Sequence, residues 1–477
     1  MNKSIRQVLI FTFVLLFLLF ANLTWLQGFQ QDKYAHNPLN SRQFLEDKQR
    51  PRGQITAGGE VIARSERDED KYYNRFYDSS PETYGPVVGY LSDTYGSSGL
   101  EQSQNDILNG TDASLFATRA WDAVTGKENV GANIDLTLIP EAQRTAYDSL
   151  SSRGYVGSAV AIRPSTGEIL AMASTPSFNP NDIAANDADA WSSLNANEDA
   201  PLLNHATQRP LPPGSTFKVL TSIAAIENGA NLNTSVTGAA SITLPGTATT
   251  LENYGGSSCG GTTTLRDAFA KSCNTSFVQL AIDNGADSLR DVAERFGIGE
   301  TYKNLGINQD ASVLGEIPDD AALGMTAIGQ RDVQFTPLDN AVIAATIANG
   351  GKRMEPHLVK SVQGRDMSEL SATKPKEVNE AIHPDTAGML TELMRASESY
   401  SGGNGGHIAS KTGTAEHGEV RGEYAPHVWY IAFAPDSDVA VAVVVESGGG
   451  QGQSATGSSV AGPVGRELIA AVEGAGR

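Results

Sequence analysis

The longest hydrophobic run in the chain is near its N-terminus, where polar side chains hardly interrupt residues 8–26. At about 1.5 Å per helical residue, this run is long enough to cross a bilayer. Lys3 and Arg6 precede it, and the positive-inside tendency would keep them in the cytoplasm. The alternative is a cleaved signal peptide, but the run exceeds a usual signal core and no Ala-x-Ala-like site follows it. We therefore expect a single-pass plasma-membrane anchor, with everything after about Gln27 extracytoplasmic.

Five apolar segments in the second part of the chain are typical of β-strands, and they form two groups far apart in sequence. The first group is a hairpin of residues 155–163 and 168–174 around the turn Pro164-Ser165-Thr166-Gly167. The second group runs through residues 408–411, 427–434 and 439–446. These segments predict one five-stranded antiparallel sheet.

The segments between and after these strands show helical patterns instead. Residues 217–228 end before Gly229, Thr336-Pro337 opens a run that stops at Gly350-Gly351, and residues 460–472 are a third candidate. Strands at both ends with helices between and after them predict an α+β domain whose helices cover the sheet. The preceding stretch, up to about Asn133, is polar with short apolar runs between turn residues, which predicts a small β-rich module.

The charge of the chain excludes one large class of partners. Its formal net charge is −20, so most of the molecule would repel a nucleic acid or an anionic membrane surface. The chain carries neither a Walker-type phosphate loop nor a His-Glu-x-x-His zinc motif, which removes the commonest nucleotide and metalloprotease interpretations.

Cys259 and Cys273 are the only cysteines, and both would lie in the oxidising compartment if the expected topology is right. A disulfide between them is one interpretation, and closing a loop of that size would stabilise the fold by about 3 kcal/mol. The alternative is a pair of buried free thiols.

The first candidate for chemistry is the segment Pro212-Pro213-Gly214-Ser215-Thr216-Phe217-Lys218, which breaks the chain and then begins a helix. Ser215 would lie in the first turn, where backbone N–H groups favour developing negative charge. Lys218 would share a helix face with it and could act as its base if burial and a second cation lower its pKa. The spacing alone is weak evidence, because Ser371 and Lys374 repeat it, although Pro375 argues against a helix there.

Two further motifs follow in the chain. Ser272-Cys273-Asn274 places a hydroxyl and a carboxamide two residues apart, a spacing that other triplets share and that a solvated turn explains equally well. Lys411-Thr412-Gly413-Thr414 ends an apolar segment, and Gly413 would let a ligand backbone approach the strand closely. The alternative for this segment is a strand end with a solvated lysine.

The order of these motifs, Ser-x-x-Lys, then Ser-x-Asn, then Lys-Thr-Gly, resembles the signature of penicillin-interacting serine enzymes. The chain is similar to class B penicillin-binding proteins, and its short N-terminal module to the actinobacterial penicillin-binding protein A group. Two departures stand out: Ala57 replaces an expected Asp, and Cys273 stands where soluble class A β-lactamases carry Asp. The remaining segments that carry the resemblance are Arg52-Gly53-Gln54-Ile55, Val88-Gly89-Tyr90, Ser98-Gly99-Leu100-Glu101, Gly329-Gln330 and Thr336-Pro337-Leu338.

The resemblance implies three parts: an anchor (residues 1–28), a pedestal or dimerisation-type module (29–145) and a serine D,D-transpeptidase domain (146–477). It also implies that Ser215 attacks the D-Ala-D-Ala end of a peptidoglycan stem peptide while Lys218 removes its proton. Thr412, Gly413, Thr414 and the field of Lys411 would bind the peptide. Ser272 would relay a proton to the leaving amine, and Asn274 would orient Lys218. No metal or organic cofactor is implied.

The implied partners are stem peptides, β-lactams, the plasma membrane and, by analogy with the family, a glycan polymerase of the SEDS type. Water as acceptor would instead give a D,D-carboxypeptidase or a β-lactamase-like hydrolase. A non-catalytic β-lactam sensor or scaffold is a third alternative. His417 and His427 are weaker candidates for a base, because a structural role explains each histidine equally well.

Overall fold

The computed structural model describes residues 3–29, 48–115, 130–417 and 423–476 of the 477-residue chain. Two stretches of the expected N-terminal module, 30–47 and 116–129, lie outside the described residues. The strands are β1 (Ile55–Ala57), β2 (Glu60–Arg67), β3 (Tyr73–Tyr77), β4 (Leu91–Ser92), β5 (Gly96–Ser97), β6 (Asn133–Leu136), β7 (Gly157–Ile162), β8 (Ile169–Thr175), β9 (Ser235–Thr237), β10 (Ser241–Thr243), β11 (Thr250–Glu252), β12 (Thr262–Thr264), β13 (Lys352–Met354), β14 (Val359–Gln363), β15 (Glu369–Ala372), β16 (Glu377–Glu380), β17 (Ala409–Ala415), β18 (His427–Ala434) and β19 (Val439–Val445).

Helices make up most of the remaining regular structure, together with a few short 3-10 turns. The α-helices are α1 (Lys3–Phe29), α2 (Pro81–Val88), α3 (Gly99–Ser103), α4 (Asn105–Leu108), α5 (Pro140–Ser151), α6 (Pro180–Ala184), α7 (Ala188–Ala196), α8 (His205–Gln208), α9 (Lys218–Glu227), α10 (Leu265–Ala270), α11 (Asn274–Asn284), α12 (Ala286–Arg295), α13 (Asp320–Thr326), α14 (Pro337–Ala348), α15 (Pro384–Tyr400) and α16 (Ala461–Ala475).

The main sheet has five antiparallel strands in the order β17-β18-β19-β7-β8, which confirms the predicted pairing of two distant sequence groups. Every residue of β18 and β19 is buried, because both faces of the sheet are covered. Helix α14 packs on one face, and α5 and α16 pack together on the other. This layering holds β17 at one edge of the sheet, where it borders the candidate site.

Helix α14 illustrates how the sequence specifies these layers. Thr336 caps its N-terminus by accepting a hydrogen bond from the Asp339 N–H at 3.1 Å, and Pro337 occupies its first turn. The helix is buried around almost its whole circumference, which explains why its sequence is apolar on every face. The predicted start and end of this helix are confirmed.

The N-terminal module contains helices as well as the strands and turns that its sequence pattern predicted. Its six-stranded sheet has the order β15-β14-β6-β1-β2-β3, with β1 and β6 parallel. Strands β14 and β15 come from far along the chain, at residues 359–372. The division expected at residue 145 therefore does not separate two independent sheets.

A buried ion cluster organises this module. The Glu101 carboxylate accepts hydrogen bonds from Arg52 Nε at 2.8 Å and Arg75 Nε at 2.6 Å, and its side chain is fully buried. Arg52 also donates to the Asn105 and Asn109 side chains. The sequence resemblance singled out Arg52 and Glu101, and the structure shows that they contact each other and that Arg75 joins them.

Helix α1 is the one helix among the described residues that is long and apolar enough to cross a membrane, over Ile5–Leu26. Its apolar side chains from Ile5 to Phe20 are largely exposed in the folded protein. An exposed apolar surface of this length is consistent with the predicted membrane anchor.

Candidate active site

Ser215 lies in a 3-10 turn, Gly214–Phe217, that leads directly into α9. The sequence predicted a regular first helical turn, whereas the structure has this tighter turn because the chain enters from Pro213 through Gly214 at a φ of +52°. A Cβ on Gly214 would lie 2.9 Å from the Thr414 carbonyl oxygen, so glycine also permits the close approach to β17. The turn aims the Ser215 hydroxyl at Lys218, whose Nζ donates to Ser215 Oγ at 3.0 Å.

The Lys218 amine is completely enclosed and surrounded by acceptors. Besides Ser215, Nζ contacts the Ser272 carbonyl oxygen at 2.7 Å, Ser272 Oγ at 3.2 Å and Asn274 Oδ1 at 2.7 Å. Burial, and secondarily the nearby charge of Lys411, hold the pKa of Lys218 well below its ordinary value of 10.5. The lowered pKa favours the neutral amine, which can accept a proton from the serine hydroxyl.

Ser272 connects the two lysines. Its hydroxyl lies 3.2 Å from Lys218 Nζ and 3.0 Å from Lys411 Nζ, so one side chain bridges the two amines. Ser272 has a φ of +60°, which is uncommon outside glycine and turns the chain sharply ahead of α11. Asn274, in the first turn of α11, accepts from Lys218 and donates Nδ2–H to the Glu252 carbonyl at 2.9 Å.

Lys411 belongs to β17 and is also fully buried, with its Nζ 2.9 Å from the Thr412 carbonyl oxygen. Burial lowers its pKa from 10.5 to about 7. Thr412 and Thr414 are half-buried and line a cleft of about 380 Å³ that also contains Ser215, Ser272 and Asn274. The three sequence motifs therefore come together around one cleft beside an edge strand.

The amino-acid sequence matches two domain families and several named relatives. Residues 157–470 match the penicillin binding protein transpeptidase domain, and residues 52–134 match the penicillin binding protein A dimerisation domain. The peptidoglycan D,D-transpeptidase PbpA of Mycolicibacterium smegmatis is 46% identical over 99% of both chains. Its namesake from Mycobacterium tuberculosis is 45% identical over 99% of this chain and 100% of its own length.

This chain belongs to the penicillin-binding transpeptidase family. A solved ceftriaxone acyl-enzyme complex of M. tuberculosis penicillin-binding protein A superposes with a TM-score of 0.86 and is 46% identical in sequence. It covers 90% of this chain and 99% of the solved one. The penicillin G acyl-enzyme complex of the same protein superposes with a TM-score of 0.84. The overall arrangement of the five-stranded sheet and its helices is thus that of a penicillin-binding transpeptidase.

The structure gives a reason for glycine at position 413 that differs from the ligand approach suggested by the sequence. A Cβ at this position would lie 2.7 Å from the Pro213 carbonyl oxygen and 3.1 Å from the Trp429 Cβ. The space beside the glycine is therefore filled by the protein itself, where the Ser215 turn approaches β17. Close packing of the Ser215 turn against β17 requires glycine here, whether or not a ligand backbone also approaches.

The two histidines near the end of β17 are structural by their contacts. His417 and His427 stack with their ring centroids 4.0 Å apart, and His417 also stacks on Tyr424. Burial is the main cause that lowers the pKa of His427 to about 4. Neither ring forms a hydrogen bond with Ser215 or either lysine among the described contacts, which favours the structural interpretation.

Two parts of the site have little or no signal in the sequence motifs. Glu398 of α15 is fully buried and accepts hydrogen bonds from the Ser410 hydroxyl, from Tyr430 OH at 3.0 Å and from Arg466 Nε at 2.7 Å. It thereby ties the start of β17, directly before Lys411, to α15 and α16. Two exposed aromatic side chains, Tyr254 and Tyr400, also line the cleft, and neither belongs to a sequence motif because a single tyrosine carries no pattern.

The two cysteines form a disulfide whose Cα atoms lie 6.3 Å apart. Cys273 occupies the N-cap position of α11 between Ser272 and Asn274, so the bond ties this segment of the candidate site to the loop after Tyr254. Within the described ranges, no group of three or more His, Cys, Asp or Glu side chains is arranged to hold a metal ion.

Proposed function

We propose that this chain is a peptidoglycan D,D-transpeptidase that forms its acyl-enzyme on Ser215 and is inhibited by β-lactams. The activity is the one for which the two mycobacterial relatives are named, and both align with this chain over at least 99% of their length. The observation that carries the residue assignment is the 3.0 Å contact of Ser215 Oγ with Lys218 Nζ. That amine is fully buried and its pKa is held well below 10.5, so it can serve as the base.

Acylation begins with the D-Ala-D-Ala end of a donor stem peptide beside β17. Thr412 and Thr414 donate to its carboxylate, and the charge of Lys411 adds local attraction that outweighs the distant, screened net charge of −20. Ser215 Oγ bonds to the penultimate D-Ala carbonyl carbon while neutral Lys218 takes the hydroxyl proton. The backbone N–H groups of Ser215 and Thr414 stabilise the oxyanion.

Collapse of the tetrahedral intermediate breaks the peptide bond and requires a proton on the departing amine. The Ser272 hydroxyl lies between Lys218 and Lys411 at 3.2 and 3.0 Å, so it can pass the proton that Lys218 accepted to that amine. Terminal D-Ala leaves and the Ser215 ester remains. An acceptor amine from a second stem peptide then attacks the ester, Lys218 receives the amine proton, and Ser215 regains its hydroxyl hydrogen.

Asn274 has a positioning role in this scheme. Its carboxamide is held by the Glu252 carbonyl and presents Oδ1 to Lys218 at 2.7 Å, which keeps the amine aimed at Ser215. The neutral amide supplies an acceptor without adding a negative charge that would favour the protonated lysine.

We further propose that α1 spans the plasma membrane once and leaves the catalytic domain on the extracytoplasmic side. Lys3 and Arg6 on its N-terminal side support that orientation. The functional division is then an anchor (1–28), a pedestal module (29–145) and the transpeptidase domain (146–477). A SEDS-type glycan polymerase that contacts the anchor and the pedestal is the partner that this architecture suggests.

Intact mass spectrometry of the full chain in detergent after brief exposure to penicillin tests the nucleophile. Ser215→Ala is the test variant, and Ser371→Ala is the matched control because Ser371 begins the second Ser-x-x-Lys spacing. We expect a persistent adduct on the wild type and the control and none on Ser215→Ala. Absence of an adduct with intact penicillin would favour a scaffold, whereas consumed penicillin without an adduct would favour a hydrolase.

A further inference from the structure

A second depression, of about 580 Å³, lies between α10 and α15 and meets the active-site cleft. Ala270, Lys271 and Tyr400 line both, so the two spaces adjoin at these residues. Ala270 and Lys271 directly precede Ser272 in the chain, and Tyr400 is the last residue of α15. We call this space the α10–α15 groove.

The groove contains cationic side chains that are not paired with any described residue. Arg266 and Lys271 are exposed, and neither forms a hydrogen bond or ion pair through its side chain with any described residue. A third cation, Arg395, is engaged with the Gly406 carbonyl at 3.2 Å. The groove's two carboxylates belong to Asp267 and Glu392, and Glu392 lies 3.9 Å from the Arg395 guanidinium. Two unpaired cations are therefore available to a ligand on a protein of net charge −20.

The reaction requires a second peptide, and its direction of approach follows from the chemistry. Formation of the new amide is the reverse of the cleavage that released D-Ala, so the acceptor amine takes the place of the departing amine. In the proposed mechanism that place is next to the Ser272 hydroxyl, which lies between the two lysine amines. Lys271 and Ala270, which precede Ser272 in the chain, line the groove as well as the cleft, so an acceptor longer than one amino acid has space to extend from Ser272 into the groove.

We propose that the α10–α15 groove binds the acceptor stem peptide and that Arg266 and Lys271 recognise its free carboxylate. This inference rests on the transpeptidase function, because only transfer to a peptide amine needs such a subsite. The acceptor is itself a stem peptide and so carries a carboxylate at its C-terminus as the donor does. Exposed cations attract such a group over about 10 Å at moderate salt and discriminate it from a neutral end.

The test uses the full-length protein in detergent with a D-Ala-D-Ala stem pentapeptide as donor. Three acceptors are compared: a synthetic stem peptide with a free side-chain amine and a C-terminal carboxylate, the same peptide as the C-terminal carboxamide, and labelled D-alanine. D-alanine fills only the leaving-group position and cannot reach the groove. The variants are Arg266→Glu and Lys271→Glu, and Lys374→Glu is the control because it is an exposed, unpaired lysine on the distant residue 373–376 segment.

The readout is the ratio of product rates for the carboxylate and carboxamide acceptors, which cancels any change in acylation. We expect the wild type and Lys374→Glu to prefer the carboxylate acceptor by about fivefold, the gain typical of an exposed charge pair. Each groove variant should bring the ratio close to one or below. If Lys271→Glu disturbs Ser272 and loses acylation by penicillin, Arg266→Glu decides the result alone.

Equal use of both peptides by the wild type, or a preference that survives in Arg266→Glu, would overturn the groove assignment. Loss of D-alanine exchange in Arg266→Glu as strong as its loss of peptide transfer would also overturn it, because the defect would then lie in the cleft. If the wild type acylates but transfers to neither peptide nor D-alanine, the transpeptidase function itself fails and the groove assignment fails with it.

Discussion

Replacing Asn274 with Asp tests the claim that Lys218 must be neutral to act as the base. The substitution nearly preserves shape but places a carboxylate 2.7 Å from Lys218 Nζ, where the amide oxygen now lies. It also removes the Nδ2–H that donates to the Glu252 carbonyl. A nearby negative charge favours the protonated amine and so raises the pKa of Lys218.

The size of the effect follows from the distance. If the charge centres of the amine and the carboxylate are about 4 Å apart and the effective dielectric constant is about 20, the two unit charges attract by about 4 kcal/mol. Stabilising the protonated lysine to that extent would slow acylation at pH 7 by about 100- to 1000-fold. The deficit should shrink as pH rises, because alkaline solution deprotonates Lys218 even beside the carboxylate.

Stopped-flow acylation with a fluorescent penicillin across pH 6 to 10 measures this directly. Asn274→Ala is the matched control, because it removes the contact to Lys218 without adding charge. We expect it to lower the acylation rate while the low-pH side of the pH–rate profile keeps nearly its wild-type shape. If Asn274→Asp is acylated at the wild-type rate at pH 7, Lys218 need not be neutral to act as the base. A deficit that is independent of pH and equal to that of Asn274→Ala would lead to the same conclusion.

Two further predictions concern stability. Glu101→Ala leaves two buried guanidinium groups without their carboxylate and should destabilise the N-terminal module by about 3–5 kcal/mol. Unfolding in denaturant measures this loss. A loss below about 1 kcal/mol would contradict the prediction. The pKa of Lys411 is about 7 in the folded protein and 10.5 ordinarily, so between these values the unfolded chain binds more protons. The free energy of unfolding of the wild type, measured relative to that of Lys411→Met, should therefore rise with pH in this window by up to about 1.4 kcal/mol per pH unit. A difference that stays constant from pH 7 to 10 would contradict this prediction.

The sequence predicted the parts of the fold that depend on local pattern. Strands such as β18 and β19 are continuous apolar runs, and α14 carries its own cap, first-turn proline and terminal glycines. The sequence also predicted which residues the site contains, because Ser215 and Lys218 lie one helical turn apart and their relation needs no distant contact. The family was evident from the order of three short motifs.

Contacts between distant segments decided the rest. The pairing of β14 and β15 with the N-terminal sheet, the union of Arg75 with Glu101, and the role of Glu398 beneath Ser410 join residues 12 to more than 200 positions apart. No local periodicity encodes such pairs, because each side chain alone resembles an ordinary solvated charge or strand residue.

The chemistry of the site divides in the same way. The sequence alone identified a serine, a nearby lysine and a second lysine in a strand, and it predicted that burial and a second cation would be needed to activate the first. Only the tertiary structure encloses Lys218 and Lys411 and bridges them through Ser272. The physical reason is that a pKa depends on desolvation and on charges brought together from distant parts of the chain, whereas a motif specifies only covalent neighbours.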